Sequence, residues 1–214
     1  MLAEKKDYMQ HYWASLGAFI AAFAVITQYY LMIDGKDVSL VPELTIHFFS
    51  YFTILTNTIV AICLSTHALI IRSKRRPFFE RPGVITAIAV YITVVGLVYQ
   101  IILRPLWDPQ GLQMIVDELL HSVMPLFFLV YWYYYEKKQA LKWGQFIPWL
   151  IYPLLYLVLI LVLGNLSNFY PYPFVDVYTL GLYTVLINSA WLMVFFIALS
   201  LTFIAVGKRM GYKQ

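Results

Sequence analysis

His121 is the residue in this sequence whose type and surroundings point most directly to chemistry. It lies in the apolar segment LQMIVDELLHSVMPLFFLVYW, residues 112–132, with Asp117 four positions and Glu118 three positions before it. On a helix, these spacings place both carboxylates one turn from the imidazole on the same face. Because ionisable side chains are costly inside a membrane, a histidine with two acids there indicates a functional site with a specific partner.

Thr53 is the predicted partner of His121. A threonine hydroxyl becomes a strong nucleophile when a neighbouring base removes its proton, and that base usually needs a third group that fixes its tautomer. Thr53, His121 and Asp117 fit these three roles. Asn57 or Asn188 fits a fourth role, as hydrogen-bond donor to the oxyanion that forms when an ester carbonyl is attacked.

The same residues also have purely structural explanations, which stay open. A threonine in a membrane helix often bonds to the carbonyl four residues before it, and Ser50, Thr56 and Thr58 are rival hydroxyls to Thr53. Asparagines such as Asn188 often tie membrane helices together. The structural alternative for His121 is a bond to a neighbouring helix, and that for Asp117 and Glu118 is a position near the interface where their charges reach water. The mutual geometry that decides between these explanations does not follow from the sequence.

Metal binding at His121 is disfavoured. Glu118 and His121 have the E-x-x-H spacing of carboxylate-bridged di-iron bundles, and Glu43 and His47 are four residues apart. Such iron sites need two E-x-x-H motifs together with two further carboxylates, and only one E-x-x-H is present in the sequence. Neither a zinc-protease motif nor a phosphate or dinucleotide loop occurs, so we predict no metal and no cofactor.

The elements that position these residues are membrane-spanning helices. The chain is 62% hydrophobic and only 12% charged, which lies far outside the range of soluble proteins. Six apolar stretches are each long enough to cross the hydrocarbon core, and we predict helices at 12–33, 43–71, 83–103, 112–135, 145–164 and 178–206. The sequence therefore predicts an all-α integral membrane protein, a single six-helix bundle formed by residues 1–214.

The basic residues predict how the bundle is oriented. Most of them fall in the N-terminal segment, two connecting loops and the C-terminal tail, all on one side of the six predicted helices: Lys5, Lys6, Arg72, Lys74, Arg75, Arg76, Arg81, Lys137, Lys138, Lys142, Lys208, Arg209 and Lys213. Only Lys36 and Arg104 lie on the other side. The positive-inside rule then places both termini in the cytoplasm. The net charge of +4 follows from this asymmetry and gives no reason to predict nucleic acid as a partner.

A non-enzymatic function is the alternative prediction. The strings FTILTN at 52–57 and YTVLIN at 183–188 align Thr53 with Thr184 and Asn57 with Asn188. Internal repeats with polar groups at the membrane midplane are typical of transporters. The alternative is therefore a binder or transporter of a small amphipathic molecule, or a proton relay.

Five strings resemble a known membrane family. They are FFSYFTILTN (48–57), GLVYQIILRPLWDPQG (96–111), DELLHSVMP (117–125), YPLLYLVLILVLG (152–164) and YPYPFVDV (170–177). In this order they resemble the prokaryotic branch of the family of the androgen-induced and androgen-dependent tissue-factor-pathway-inhibitor-regulating proteins. The resemblance covers nearly the whole chain, and it implies a multi-pass protein of the prokaryotic cytoplasmic membrane.

The resemblance also implies an activity. Animal members of that family are membrane hydrolases that cleave fatty acid esters of hydroxy fatty acids with an intramembrane threonine and histidine, which correspond to Thr53 and His121. The resemblance thus implies an intramembrane lipid-ester hydrolase, with a membrane lipid or fatty acid ester as substrate and the bilayer as surroundings. Tyr99, within the second string, is a further candidate for contact with the substrate or the oxyanion.

Overall fold

Six helical stretches of this chain are long and apolar enough to cross a membrane. The computed structural model describes residues 2–69 and 78–211, with side chains in the first helix from residue 7. The six stretches are Asp7–Ile33, Phe52–Leu69, Val84–Leu106, Leu112–Tyr135, Trp143–Ser167 and Leu182–Gly211. The predicted all-α fold with six membrane-length helices is confirmed, and the fold is compatible with an integral multi-pass membrane protein.

These stretches are assembled from ten α-helices, with π-helical and 3-10 segments between some of them. The α-helices are α1 (Leu2–Ile33), α2 (Val41–Phe49), α3 (Phe52–Leu69), α4 (Val84–Val98), α5 (Leu112–Glu118), α6 (Met124–Tyr135), α7 (Phe146–Trp149), α8 (Ile151–Ser167), α9 (Val177–Leu180) and α10 (Leu182–Gly211) within the part of the chain that the structure describes. A π segment, Tyr99–Leu103, extends α4, and a second one, Leu119–Val123, joins α5 to α6.

The centre of the bundle is α4. It packs against α3, α6 and α10, while α1 lies along α3. Its apolar residues, such as Ile88 and Ile92, are almost fully buried, whereas α8 exposes Leu155 and other large aliphatic side chains. In a membrane, these exposed side chains contact hydrocarbon, so the packing of the helices and their lipid contact together account for the apolar composition.

The second predicted helix, 43–71, is wrong as a continuous element. The chain leaves α2 at Ser50, and α3 begins at Phe52, while residues 70 and 71 lie outside the described part of the chain. The Ser50 hydroxyl donates to the Ile46 carbonyl at 2.8 Å, and the Tyr156 hydroxyl donates to the Ser50 carbonyl at 2.8 Å. Where water is scarce, hydroxyl groups from neighbouring helices satisfy the backbone groups that a helix break leaves unpaired.

The two π segments also depart from the predicted regular helices 83–103 and 112–135. Each is followed by a proline, Pro105 in one case and Pro125 in the other. A proline cannot donate to the carbonyl four residues earlier, so the preceding turn widens into a π segment. Gly96 lies where α4 approaches the second of these turns, since a Cβ there would come within 3.1 Å of Pro125 and 3.3 Å of the His121 carbonyl oxygen.

The remaining predicted boundaries shift by a few residues. The fifth stretch contains a turn at Leu150 and extends to Ser167, and the short α9 precedes α10, which continues to Gly211. Much of the predicted orientation depends on residues that lie outside the described part of the chain: the side chains of Lys5 and Lys6, and Arg72, Lys74, Arg75, Arg76 and Lys213. The cytoplasmic location of both termini therefore stays a prediction.

Candidate active site

His121 and Asp117 form a close pair within the fourth membrane-length stretch. The His121 Nδ1 atom lies 3.2 Å from Asp117 Oδ1 and 2.9 Å from the Asp117 carbonyl oxygen. The carbonyl only accepts, so this contact requires a hydrogen on Nδ1 and leaves Nε2 as the basic nitrogen of the neutral ring. The structure thus brings together His121 and the carboxylate that we predicted to orient it.

Tyr99 completes this cluster from the neighbouring helix. Its ring stacks on the His121 imidazole, with 4.0 Å between the centroids and 12° between the planes. Its hydroxyl donates to Asp117 Oδ2, and the side chains of Tyr99 and Asp117 are both buried. Tyr99 therefore holds the Asp117–His121 pair, and its hydroxyl is engaged by Asp117 rather than free to donate to a substrate.

Glu118 belongs to a second network, away from the imidazole. It forms an ion pair with Arg104 and accepts from the Ser122 hydroxyl at 2.5 Å. Gln100 joins the same group, because its amide donates to Ser122 and accepts from Arg104, each at 2.8 Å. The two carboxylates that are adjacent in sequence thus have separate partners, and Asp117 is the one that contacts His121.

Thr53 lies at the start of α3, in the first turn after the break. The first N–H groups of a helix have no partner within the helix, and Thr53 N–H donates to the Tyr172 hydroxyl at 3.3 Å. The Thr53 hydroxyl lies 3.4 Å from the same phenol oxygen. Burial raises the pKa of Tyr172 to about 12, so at neutral pH this phenol is protonated and able to donate.

The rival hydroxyls are held differently from that of Thr53. Ser50 and Thr58 donate to carbonyls of their own helices, Ile46 and Ile54, at 2.8 and 2.7 Å. Thr56 is fully buried and bonds to the Tyr152 hydroxyl at 3.0 Å. Of these four residues, only Thr53 lines the neighbouring apolar cavity, which favours its hydroxyl as the reactive group.

A cavity of about 80 Å³ adjoins Thr53, lined almost entirely by aliphatic and aromatic side chains of α3, α4, α8, α10 and the loop between α8 and α9. Its polar side chains are Thr53, Tyr156, Tyr172 and Ser189. The volume accommodates a small group but not a whole lipid. The cavity therefore suits the reacting end of an apolar ester.

Asn57 connects the two halves of the site. Its Nδ2 atom donates to the Thr53 carbonyl at 2.9 Å and to the Leu120 carbonyl, in the π segment, at 3.2 Å. Both amide hydrogens are thus engaged, and its buried Oδ1 has no partner among the described residues. Asn57 acts as a bridge between α3 and the residue next to His121, with an acceptor rather than a donor available.

No hydrogen bond joins Thr53 to His121. The Thr53 hydroxyl contacts Tyr172, and the His121 ring contacts Asp117 and Tyr99. The structure thus places Thr53 and His121 on adjoining elements joined by Asn57, and the direct hydrogen bond that their predicted roles require is absent.

Asn188 lies apart from Thr53. Its side chain donates to the Phe174 carbonyl at 3.0 Å, and it lines a different cavity. Tyr172 and Tyr156 fall within two of the strings that carry the resemblance, and the sequence indicated no role for either at Thr53. A signal for both was the unrecognised break after Ser50, because a helix that starts inside a bundle needs hydroxyl partners for its free backbone groups.

No group of three or more metal-binding side chains occurs among residues 7–69 and 78–211. Comparisons with protein-family models, with curated proteins and with solved structures each found no match to this chain.

Proposed function

We propose that this protein is an intramembrane ester hydrolase in which Thr53 is the nucleophile, His121 the general base and Asp117 the group that orients His121. The observation that carries the proposal is the Asp117–His121 pair at 3.2 Å, next to a helix whose first turn presents a cavity-lining hydroxyl. This set supplies the nucleophile, the base and the orienting group that acyl transfer needs. The resemblance of the sequence to lipid-ester hydrolases supports the same assignment.

The reaction begins when Tyr172 moves away from Thr53 and an ester carbonyl takes its place. The Thr53 oxygen attacks the carbonyl carbon while His121 Nε2 accepts the hydroxyl proton, and the imidazolium is stabilised by Asp117. The oxyanion accepts a hydrogen bond from the Thr53 N–H, which donates to the Tyr172 hydroxyl until that residue moves away. His121 then returns the proton to the leaving alcohol, and the acyl-threonine is hydrolysed by water that His121 deprotonates in turn.

The expected substrate is an amphipathic ester, because the cavity beside Thr53 is apolar and lies within the membrane-length part of the bundle. A fatty acid ester of a hydroxy fatty acid is the example that the resemblance favours. The distribution of basic residues and the same resemblance lead us to place the protein in a prokaryotic cytoplasmic membrane, with both termini inside.

A proton relay is the second candidate, and one observation favours it. Tyr99, Asp117 and His121 contact one another, and Thr53 is not among their partners. The partly exposed ion pair of Arg104 and Glu118 extends this row of polar groups towards the surface of the protein. Intramembrane chains of acids and histidines are typical of proton pathways. In that case Thr53 is a packing residue, and hydrolysis is absent.

A fluorophosphonate probe separates the two candidates. We expect the probe to label wild-type protein at Thr53 and labelling to disappear in Thr53→Ala. In His121→Ala we expect labelling to slow by about 10⁴-fold or more, because loss of the base costs more than loss of the group that orients it. Thr58→Ala is the matched control, because that hydroxyl is bonded within its own helix. Equal labelling of Thr53→Ala and wild type would remove Thr53 as nucleophile.

A further inference from the structure

A second cavity, of about 340 Å³, lies between α4 and α10. Its walls are aliphatic and aromatic except for Asn188, and its outer rim includes Ile101 and Trp191, each 69% exposed. Both helices are of membrane-spanning length, so this rim faces hydrocarbon rather than water. The groove is thus an apolar recess that opens sideways towards lipid.

This groove adjoins the cavity at Thr53. Val98, Phe174 and Leu192 line both spaces, one on α4, one on the loop before α9 and one on α10. Phe174 therefore forms part of the partition between the lipid-facing groove and the candidate nucleophile.

The loop that carries Phe174 also carries Tyr172. The two rings are stacked, with 5.3 Å between centroids and 3° between planes. Tyr172 contacts Thr53, and Asn188 holds the Phe174 carbonyl at 3.0 Å. Tyr172 at Thr53 and Phe174 at the groove thus form one stacked pair within the same loop.

We propose that the groove between α4 and α10 binds the acyl chain of the ester, which enters from the bilayer and passes Phe174 to reach Thr53. The proposal rests on the function proposed above. Three features select an acyl chain over a polar ligand: the apolar walls, the rim at membrane depth and the shared lining with the Thr53 cavity. Because the chain comes from the bilayer, its methylenes leave hydrocarbon rather than water, so binding is favoured by van der Waals packing against the groove walls.

Photo-crosslinking tests the groove without requiring turnover. The probe is palmitic acid with a mid-chain diazirine, added to the full chain in detergent micelles, and the labelled peptides are identified by mass spectrometry. We expect saturable labelling at residues 97–102 and 191–195 that palmitate displaces and butyrate does not. Labelling spread evenly over lipid-facing residues, including Leu155 on α8, would overturn the proposal.

Leu97→Trp provides a variant test, because Leu97 lies in the groove wall and is partly exposed, so a larger ring there fills the recess without entering the buried core. We expect saturable labelling to be largely lost, because the larger ring occupies the space into which the chain packs. The matched control is Val194→Trp, on the exposed side of α10 and outside both cavities. Equal labelling of Leu97→Trp and Val194→Trp would count against the groove.

The same variants separate this inference from the hydrolase proposal. In turnover assays, Leu97→Trp is expected to slow a p-nitrophenyl ester of palmitate far more than that of butyrate. If the fluorophosphonate fails to react at Thr53 but photo-labelling stays confined to the groove, the hydrolase proposal fails and the chain-binding site stands. If Thr53 reacts but photo-labelling is diffuse, the hydrolase proposal stands and the groove assignment fails.

Discussion

The two halves of the candidate site satisfy their polar groups in different ways. On the histidine side, Tyr99, Asp117 and His121 contact one another from two packed helices, and the carboxylate is only 5% exposed. On the threonine side, the hydroxyl and N–H of Thr53 both depend on Tyr172, a residue of a loop. In the proposed mechanism, the histidine side is therefore complete before substrate arrives, whereas on the threonine side substrate has to replace Tyr172.

This difference indicates where rigidity and movement reside in the site. A base whose orientation is fixed by a buried carboxylate loses little activity to disorder, because its geometry is set in advance. A nucleophile capped by a loop residue is kept from reacting until that loop moves. The predictions that follow test this division, from the largest expected effect to the smallest.

Asp117→Asn is expected to cause the largest loss. The amide keeps much of the contact to His121 but removes the negative charge that stabilises the imidazolium, so ester turnover should fall by about 10³-fold or more. Glu118→Gln is the control, because that carboxylate contacts Arg104 and Ser122 instead of His121. Ester turnover in detergent measures both variants, and equal losses would contradict the separation of the two carboxylates.

Tyr172→Phe is expected to act on stability through the threonine side. The phenyl ring keeps its stacking on Phe174, but the Thr53 N–H loses its acceptor, which costs about 1–3 kcal/mol of unfolding free energy. Denaturant unfolding in detergent measures this cost. Tyr183→Phe is the control, because that ring is 78% exposed. An equal cost in both variants would show that Tyr172 has no special role at Thr53.

The pKa of Tyr172 adds an alkaline test. Burial raises this pKa from 10.0 to about 12. The folded state therefore favours the neutral phenol, and this contribution to stability is complete below pH 10 and is lost as the pH rises through about 12. We expect wild type to lose more unfolding free energy over this window than Tyr172→Phe, and equal losses would argue against a buried neutral phenol.

Asp176→Asn is expected to produce the smallest effect, confined to the loop that carries Tyr172. Hydrogen bonds from Thr179 and Tyr178 hold the pKa of Asp176 below its usual value, so its stabilising contribution is present at neutral pH and is lost as the pH falls through that lowered pKa. Hydrogen exchange of the Tyr178 and Thr179 amides at acidic pH measures this loss.

The control for this acidic test is Asp37→Asn. The Asp37 carboxylate accepts from the Ser39 backbone and hydroxyl in another loop, and these bonds likewise lower its pKa. Each substitution should therefore remove the acid dependence of its own loop only. Acid-dependent exchange at Tyr178 that persists in Asp176→Asn would assign the effect to another group.

The histidine side was easier to predict from sequence than the threonine side. Asp117 and His121 are four residues apart, so helical periodicity alone places them on one face, and that contact is present in the structure. Tyr172 is far from Thr53 in sequence, and its approach depends on the fold of the loop after α8. Local spacing predicts contacts within a helix, while contacts between distant segments depend on packing that the pattern does not specify.

The helix break and the π segments show the same limit. Hydropathy correctly predicted six apolar stretches, because burial in lipid requires length and composition only. It could not reveal that 43–71 divides after Ser50, since residues on both sides of the break are equally apolar. Pro105 and Pro125 were visible signals for the widened turns, and they were not used in placing the helices.

The widened turn at Leu119–Val123 changes the phase of the helix around it. A π turn holds one residue more than an α turn, so the residues before it are rotated by roughly 100° relative to an uninterrupted helix. Asp117 and the buried aromatic residues of α6 thus contact different neighbours, although both belong to one continuous stretch. The additional residue of the π turn gives this stretch two packing faces, one against Tyr99 and the other against the core of the bundle.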